Sequence, residues 1–247
     1  MKKIPESPEA IFEDYIKDWQ AAFGKEIESI ILYGSGARGE YVAGKSDINF
    51  LIVLTTPGIT ALRPAIELVE KWRKRNVAVP LLMTRTYLDG SLDTFPMEFL
   101  SMQKHHQVVF GEDALAGLNI SKTHLRMQIE REVKGKLLHL RENFLAVGLD
   151  RDRLLLLLRQ TLPAFEPLFE ALLHLRDQPI PDHRREVFMQ GVKLAGLDQS
   201  FFDKLLKVAA QESKPYRNEL WEVFEKYLLQ IRDLALFIDA MDKNQSS

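Results

Sequence analysis

Between Ile30 and Leu54 the chain reads IILYGSGARGEYVAGKSDINFLIVL, and its glycines, serines and single aspartate fall into three overlapping patterns that hold phosphate. Glycine suits this work because its backbone N–H groups can approach a phosphate closely. Gly34-x-Gly36-x-x-Gly39 fits the dinucleotide fingerprint, which demands a full helix next and an acid about 20 residues on for the ribose. Only seven residues separate Gly39 from Asp47, and no acid lies between Asp47 and Glu67, so this pattern fails. Gly39-x-x-x-x-Gly44-Lys45-Ser46 fits the P-loop expression, which must lead straight into a helix whose N-terminus faces the phosphates. Here the next residues, Asp47–Leu54, read as a buried strand, so this pattern fails as well.

The third pattern is an apolar strand, Tyr33-Gly34-Ser35, eleven intervening residues, then Asp47-Ile48-Asn49-Phe50 opening a second apolar strand. It resembles the nucleotidyltransferase superfamily, DNA polymerase beta-like and kanamycin nucleotidyltransferase-like, whose signature is Gly-Ser or Gly-Gly, nine to thirteen residues, then Asp-apolar-Asp/Glu-apolar. The flanking Gly-Ala-Arg-Gly-Glu and Ser-Asp are similar to the bacterial small-molecule branch. The resemblance covers about 25 residues closely. It implies transfer of a nucleoside monophosphate from ATP or another nucleoside triphosphate to a hydroxyl of a small molecule or protein, with Mg²⁺ as cofactor. Such chemistry is mostly positioning and charge neutralisation, two divalent ions clamping the attacking and leaving oxygens.

The resemblance also assigns residues. Gly34, Ser35, Arg38 and Ser46 are expected on the nucleotide phosphates, a plain glycine-rich connection and a surface arginine being the competing descriptions. Asp47 matches the first metal carboxylate. Asn49 stands where the second is expected; its carbonyl oxygen can ligate a cation but brings no charge. One unit-charge interaction at 4 Å is worth about 4 kcal/mol at an effective dielectric of 20, so its loss corresponds to roughly a thousandfold in rate or affinity. The third carboxylate is expected from Glu98, the one acid in the alternating run Phe95–Met102, read as a strand. There Glu98 would be a metal ligand and a base towards the acceptor hydroxyl, or else an edge-strand acid facing water. The rival function is a catalytically degenerate nucleotide-binding or partner-binding module on the same fold. It is favoured if no other acid, Glu40 being nearest in sequence, takes the position of Asn49.

Around these residues, Ile27–Tyr33, Ile48–Leu54 and Val77–Thr84 read as further strands, with Pro80 demoting the last to an edge or a bulge. Pro8–Phe23 and Ala61–Lys74 read as amphipathic helices. After Ser121 strand signals stop, and Thr123–Leu145, Arg153–Leu175, Arg184–Ala195, Ser200–Ala210 and Arg217–Met241 read as helices. Pro163 and Pro167 should split the second of these, and Gly148, Pro215 and the polar tail 243–247 should punctuate or end the set. The expected class is α+β, a mixed-sheet nucleotidyltransferase-like domain over 1–118 followed by an all-helical bundle domain over 119–247.

Of the 247 residues 46% are hydrophobic and 28% charged, which excludes whole-chain disorder. With no cysteine, disulfides and thiolate metal sites are excluded. The lysines at 2–3 are followed by acids and prolines rather than an apolar signal core, and the longest aliphatic run, Leu154–Leu158, is far short of a membrane span. A cytoplasmic location without membrane partners is therefore expected, with a homodimer as an open assembly state. Residues 1–118 hold 13 basic and 16 acidic side chains and the remainder 20 and 19, so neither half is a general nucleic-acid platform. Lys71–Arg75 is expected to be a solvated helix face. His105 and His106 lack a histidine at zinc-ligand spacing. Lys134, Lys136 and Arg141 could reach phosphate or pair with Glu130, Glu132 and Glu142 along their own helix.

Overall fold

The computed structural model describes residues 4–148, 150–212 and 220–243. The lysines at 2–3, the break at Pro215, the expected helix start at 217–219 and the tail beyond 243 lie outside them. The chain forms two compact units, Met1–Ile120 and Ser121–Ser247.

The first unit is built on a sheet of four strands, β1 (Ile27–Tyr33), β2 (Asn49–Leu54), β3 (Leu81–Met83) and β4 (His106–Gly111), in the order β3-β2-β1-β4. Strands β1 and β2 form its centre. They pair antiparallel, with Tyr33 opposite Asn49 and Leu32 opposite Phe50. Alternation sorts their side chains onto two faces. Ile30, Leu32, Phe50, Ile52 and Leu54 face α1 (Phe12–Phe23) and α3 (Arg63–Arg73), meeting Tyr15, Trp19 and Trp72. A 3-10 turn, Pro8–Ile11, leads into α1, and a short helix α2 (Thr56–Thr60) follows β2. Ile31, Leu51 and Val53 face the other way, onto Leu88 of α4 (Arg85–Gly90) and Phe99 of α5 (Pro96–Lys104).

The edges depart from expectation in two ways. Strand β3 (Leu81–Met83) pairs parallel with β2 and lies at an edge as Pro80 requires, though only three residues long. The expected strand at 95–102 is instead helix α5. Pro96 occupies its first turn, and Pro96, Phe99 and Leu100 form the buried face at helical spacing. The other edge is β4 (His106–Gly111), which pairs antiparallel with β1 and places His106 opposite Tyr33. Its Val108-Val109-Phe110 run is β-branched and aromatic, which suits a strand.

The run Lys71–Arg75 is more than a solvated face. Lys71 pairs with Asp18, Arg75 lies 3.7 Å from Asp14, and both cations lie over the Trp72 ring. Trp72 also donates to Asp18 at 2.9 Å, so α3 is fastened to α1 by charge as well as by burial.

The elements of the second unit among its described residues are all helices: α6 (Lys122–Val147), α7 (Arg151–Thr161), α8 (Glu166–Leu175), α9 (Arg184–Leu194), α10 (Gln199–Ala209) and α11 (Leu220–Lys243). A 3-10 turn, Leu162–Phe165, separates α7 from α8 where Pro163 was expected to break the helix. Leu220, Phe224, Tyr227, Ile231, Leu234 and Ile238 form the buried stripe of α11. Phe224 stacks on Phe144 of α6 at 4.8 Å. Lys134 bonds Glu130 of its own helix and Asp239 of α11, and Lys136 lies 3.5 Å from Glu132 within α6, so both lysines pair with neighbouring acids. Among the described residues no helix is long and apolar enough to cross a membrane.

Candidate functional site

The segment between β1 and β2 is a succession of tight turns with no helix, so both rejected glycine motifs lack the element their chemistry requires. Gly34 leaves β1 at φ +75°, a conformation that favours glycine. The chain then coils: Arg38 N–H donates to Gly34 O at 3.1 Å and Glu40 N–H to Ser35 O at 2.9 Å. The N–H groups of Ser35, Gly36 and Ala37 start this coil without a backbone acceptor among the described residues, and successive backbone N–H groups of this kind can receive an anion. Gly36 is held from behind, since a Cβ there would lie 3.2 Å from Leu32 and Pro8.

Asn49 faces this turn from the neighbouring strand. A Cβ on Gly34 would lie 3.3 Å from Asn49 Nδ2, so glycine is what lets the amide lie against the loop. The amide also donates to the backbone carbonyl of Asp47 at 3.2 Å. By alternation Asn49 shares a face with Leu51 and Val53, the face on which α5 packs through Phe99. Asp47 is exposed just before β2. The Tyr41 hydroxyl donates to Pro5 O at 3.1 Å. Burial, and then the negative charge of Asp47, push the Tyr41 phenol above its ordinary range.

Ser46 is used by the backbone. Its hydroxyl accepts from Val42 N–H at 3.1 Å, and its carbonyl accepts from Asn76 Nδ2 at 2.8 Å. Asn76, in turn, takes Ile48 N–H on its own carbonyl at 2.9 Å, so Ser46 and Asn76 fix where Asp47 enters β2. Arg38 reaches across to α5, where its Nη2 donates to Ser101 Oγ at 2.8 Å. Glu98 lies three residues before Ser101 on that helix, exposed in its first turn. The turn is thus tied to the helix bearing Glu98, although Glu98 comes from a helix rather than from a strand. The stretch Val77–Met83 along the far side of β2 contains no acid.

The structure therefore brings Gly34, Ser35, Asp47 and Asn49 to one end of the sheet, links Arg38 to α5 and gives Ser46 a turn-closing role. Ser101, Asn76 and Tyr41 are additional members that sequence spacing had no means to find, because their bonds span 30 to 63 residues or are read only through the fold. Across β2, β1 and β4 the row Asn49, Tyr33, His106 continues to Asp113. Both Asp113 oxygens lie 3.1 Å from His106 Nε2, while Nδ1 bonds Gln103 O at 3.0 Å. With both ring nitrogens engaged, His106 anchors the edge strand.

Among the described residues no three His, Asp or Glu side chains are grouped as a metal site. With an amide at 49 and no acid along Val77–Met83, the residues present do not fit a resident two-ion centre. A single exposed carboxylate, Asp47, beside the glycine turn has the chemistry to meet one Mg²⁺ brought by a substrate, since Mg²⁺ is commonly held by one or two carboxylates plus substrate phosphates.

No protein-family model matches the chain, and no curated protein matches it. Among solved structures, the chain is similar to spectinomycin adenyltransferase AAD(9) from Enterococcus faecialis, determined with ATP and spectinomycin. The TM-score is 0.45 at 12% identity, over 92% of this chain and 99% of that one. A likeness at this level transfers no residue role.

Proposed function

We propose that this chain is a nucleotidyltransferase-type protein whose first unit takes a Mg²⁺–nucleoside triphosphate at the Gly34–Ser35 turn. The observation that carries this reading is the close approach of Asn49 to Gly34, where an added Cβ would lie 3.3 Å from Asn49 Nδ2. It joins the two halves of the motif, Gly-Ser and Asp-x-Asn, at one end of two paired strands. In this reading the N–H groups of Ser35, Gly36 and Ala37 and the Ser35 hydroxyl receive the triphosphate tail. Asp47 meets the ion that the nucleotide carries, and Asn49 offers a neutral oxygen beside it. Arg38, steadied by Ser101, supplies positive charge at the outer side of the turn. The reaction assigned is transfer of the nucleoside monophosphate to a hydroxyl, with pyrophosphate leaving. Glu98 is the candidate base by virtue of its helix.

A second reading, nucleotide binding without turnover, is favoured by the Asn49 amide. Its N–H group is turned to the Asp47 carbonyl rather than presenting a second charge. Equilibrium dialysis of the four ribonucleoside triphosphates, with and without Mg²⁺, tests what both readings share. Saturable one-to-one binding of at least one nucleotide is expected. Absence of binding to all four removes both. Turnover is then separated from binding by following pyrophosphate release across a panel of hydroxyl acceptors.

A further inference from the structure

A pocket of about 590 Å³ opens at the end of the sheet remote from Gly34. It is lined by Glu28, Ser29, Val53, Arg85, Glu112 and Ala114. Ser29 and Tyr33 are four residues apart on β1, about 13 Å along an extended strand, so this pocket is separate from the turn described above.

Three features mark it as built to receive a ligand. Ser29 is 1% exposed, and its Oγ has no hydrogen-bond partner. A serine there, among buried isoleucines, leaves a polar group unsatisfied in a wall where valine or alanine would pack without loss. Glu28 and Glu112 are brought side by side by a backbone crossing that only glycine permits. Gly111 sits at φ +77°, a Cβ on it would fall 2.0 Å from Glu28 O, and Glu112 N–H donates to that same carbonyl at 3.3 Å. Neither glutamate has an ion-pair partner among the described residues. Arg85, by contrast, is already balanced, donating to Ala114 O at 2.9 Å and to Asp89 at 3.3 Å.

We propose that this pocket binds a small organic cation, an aliphatic amine whose ammonium group lies between the Glu28 and Glu112 carboxylates and whose chain carries a polar group to Ser29 Oγ. Two unbalanced carboxylates select positive charge. A bare divalent ion is a poorer match, because it requires six or more oxygens in close array and the Arg85 guanidinium shares the wall. A pocket of this size accommodates a whole small molecule. The site stands independently of the nucleotide reading, since it shares no residue with it.

Calorimetric titration of the full chain with putrescine tests the proposal, with butanediol as the uncharged control and Mg²⁺ alone as the competing cation. Saturable one-to-one binding of putrescine, and none of butanediol, is expected. The double variant Glu28→Gln/Glu112→Gln and the single variant Ser29→Ala should each weaken it about tenfold or more. Both variants change only surface charge or an unpaired hydroxyl, and unchanged circular dichroism and melting confirm that they fold. Absence of saturable binding by the wild type, equal affinity in the double variant, or binding of Mg²⁺ in place of putrescine would each overturn the assignment.

Discussion

Replacing Gly34 by alanine separates the cost of backbone strain from the loss of a site, because Gly39 is a matched control. The two residues sit in the same turn at φ +75° and +74°. An alanine at either must adopt a left-handed conformation, at about 1 kcal/mol. For a unit of this size that corresponds to a fall in melting temperature of about 4 °C. Beyond this the variants differ. Nothing lies within 4 Å of a Cβ on Gly39, whereas a Cβ on Gly34 meets Asn49 Nδ2 at 3.3 Å and must shift the amide by a few tenths of an ångström from its place against the turn. Both Gly34→Ala and Gly39→Ala should therefore melt about equally early by differential scanning calorimetry. Only Gly34→Ala should lose nucleoside triphosphate affinity, by about tenfold, or ~1.4 kcal/mol, read by isothermal titration. Equal loss of affinity in the two variants, or wild-type affinity in Gly34→Ala, would refute the idea that Asn49 and the turn form one site.

Trp72→Ala should cost about 3–5 kcal/mol in urea unfolding of the first unit, since the indole is 2% exposed, packs edge-on to Tyr15 at 5.1 Å and donates to Asp18. In the second unit Gly191→Ala forces a Cβ to 2.4 Å from the Phe169 ring, so that unit should lose about 1–3 kcal/mol by overpacking; nucleotide binding extrapolated to full folding should not change. The Asp113 carboxyl is raised by burial, but the His106 bond and the Leu115 and Ala116 N–H groups outweigh this and hold it below its ordinary value. Its contribution to stability is therefore complete above about pH 4 and disappears as pH falls through the lower folded value. Acid unfolding followed by tryptophan fluorescence should be less steep in Asp113→Asn than in the wild type.

The central part of the first unit was legible because its signals are local. Ile27–Tyr33 and Asn49–Leu54 are β-branched or leucine-rich runs bounded by Gly34 and by Ser46-Asp47, and the glycine-rich turn lies between them. In the second unit, three-four spacing and Pro163 placed helices and their break. The run Phe95–Met102 was misread because Phe, Met, Phe and Leu satisfy both an alternating and a three-four template over eight residues; Pro96 at the first helical turn was the deciding cue. With Pro96–Lys104 helical, Glu98 comes from α5, and the edge strand is β4, which starts at His106. Contacts such as Arg38 to Ser101, Lys71 to Asp18 and Asn76 to Ser46 were not legible at all, since charge and amide groups carry no record of which distant backbone they meet.

The most direct measurement is Mg²⁺-dependent binding of nucleoside triphosphate by the wild type and Asn49→Asp, side by side. A carboxylate placed at 49 lies two residues from Asp47 and close to the Gly34 turn, so it should hold the nucleotide's ion at least about tenfold more tightly. The account predicts that the wild type binds, that Asn49→Asp binds more tightly when Mg²⁺ is present, and that the gain vanishes when Mg²⁺ is removed. Absence of binding by both proteins, or a gain that persists without Mg²⁺, would contradict it.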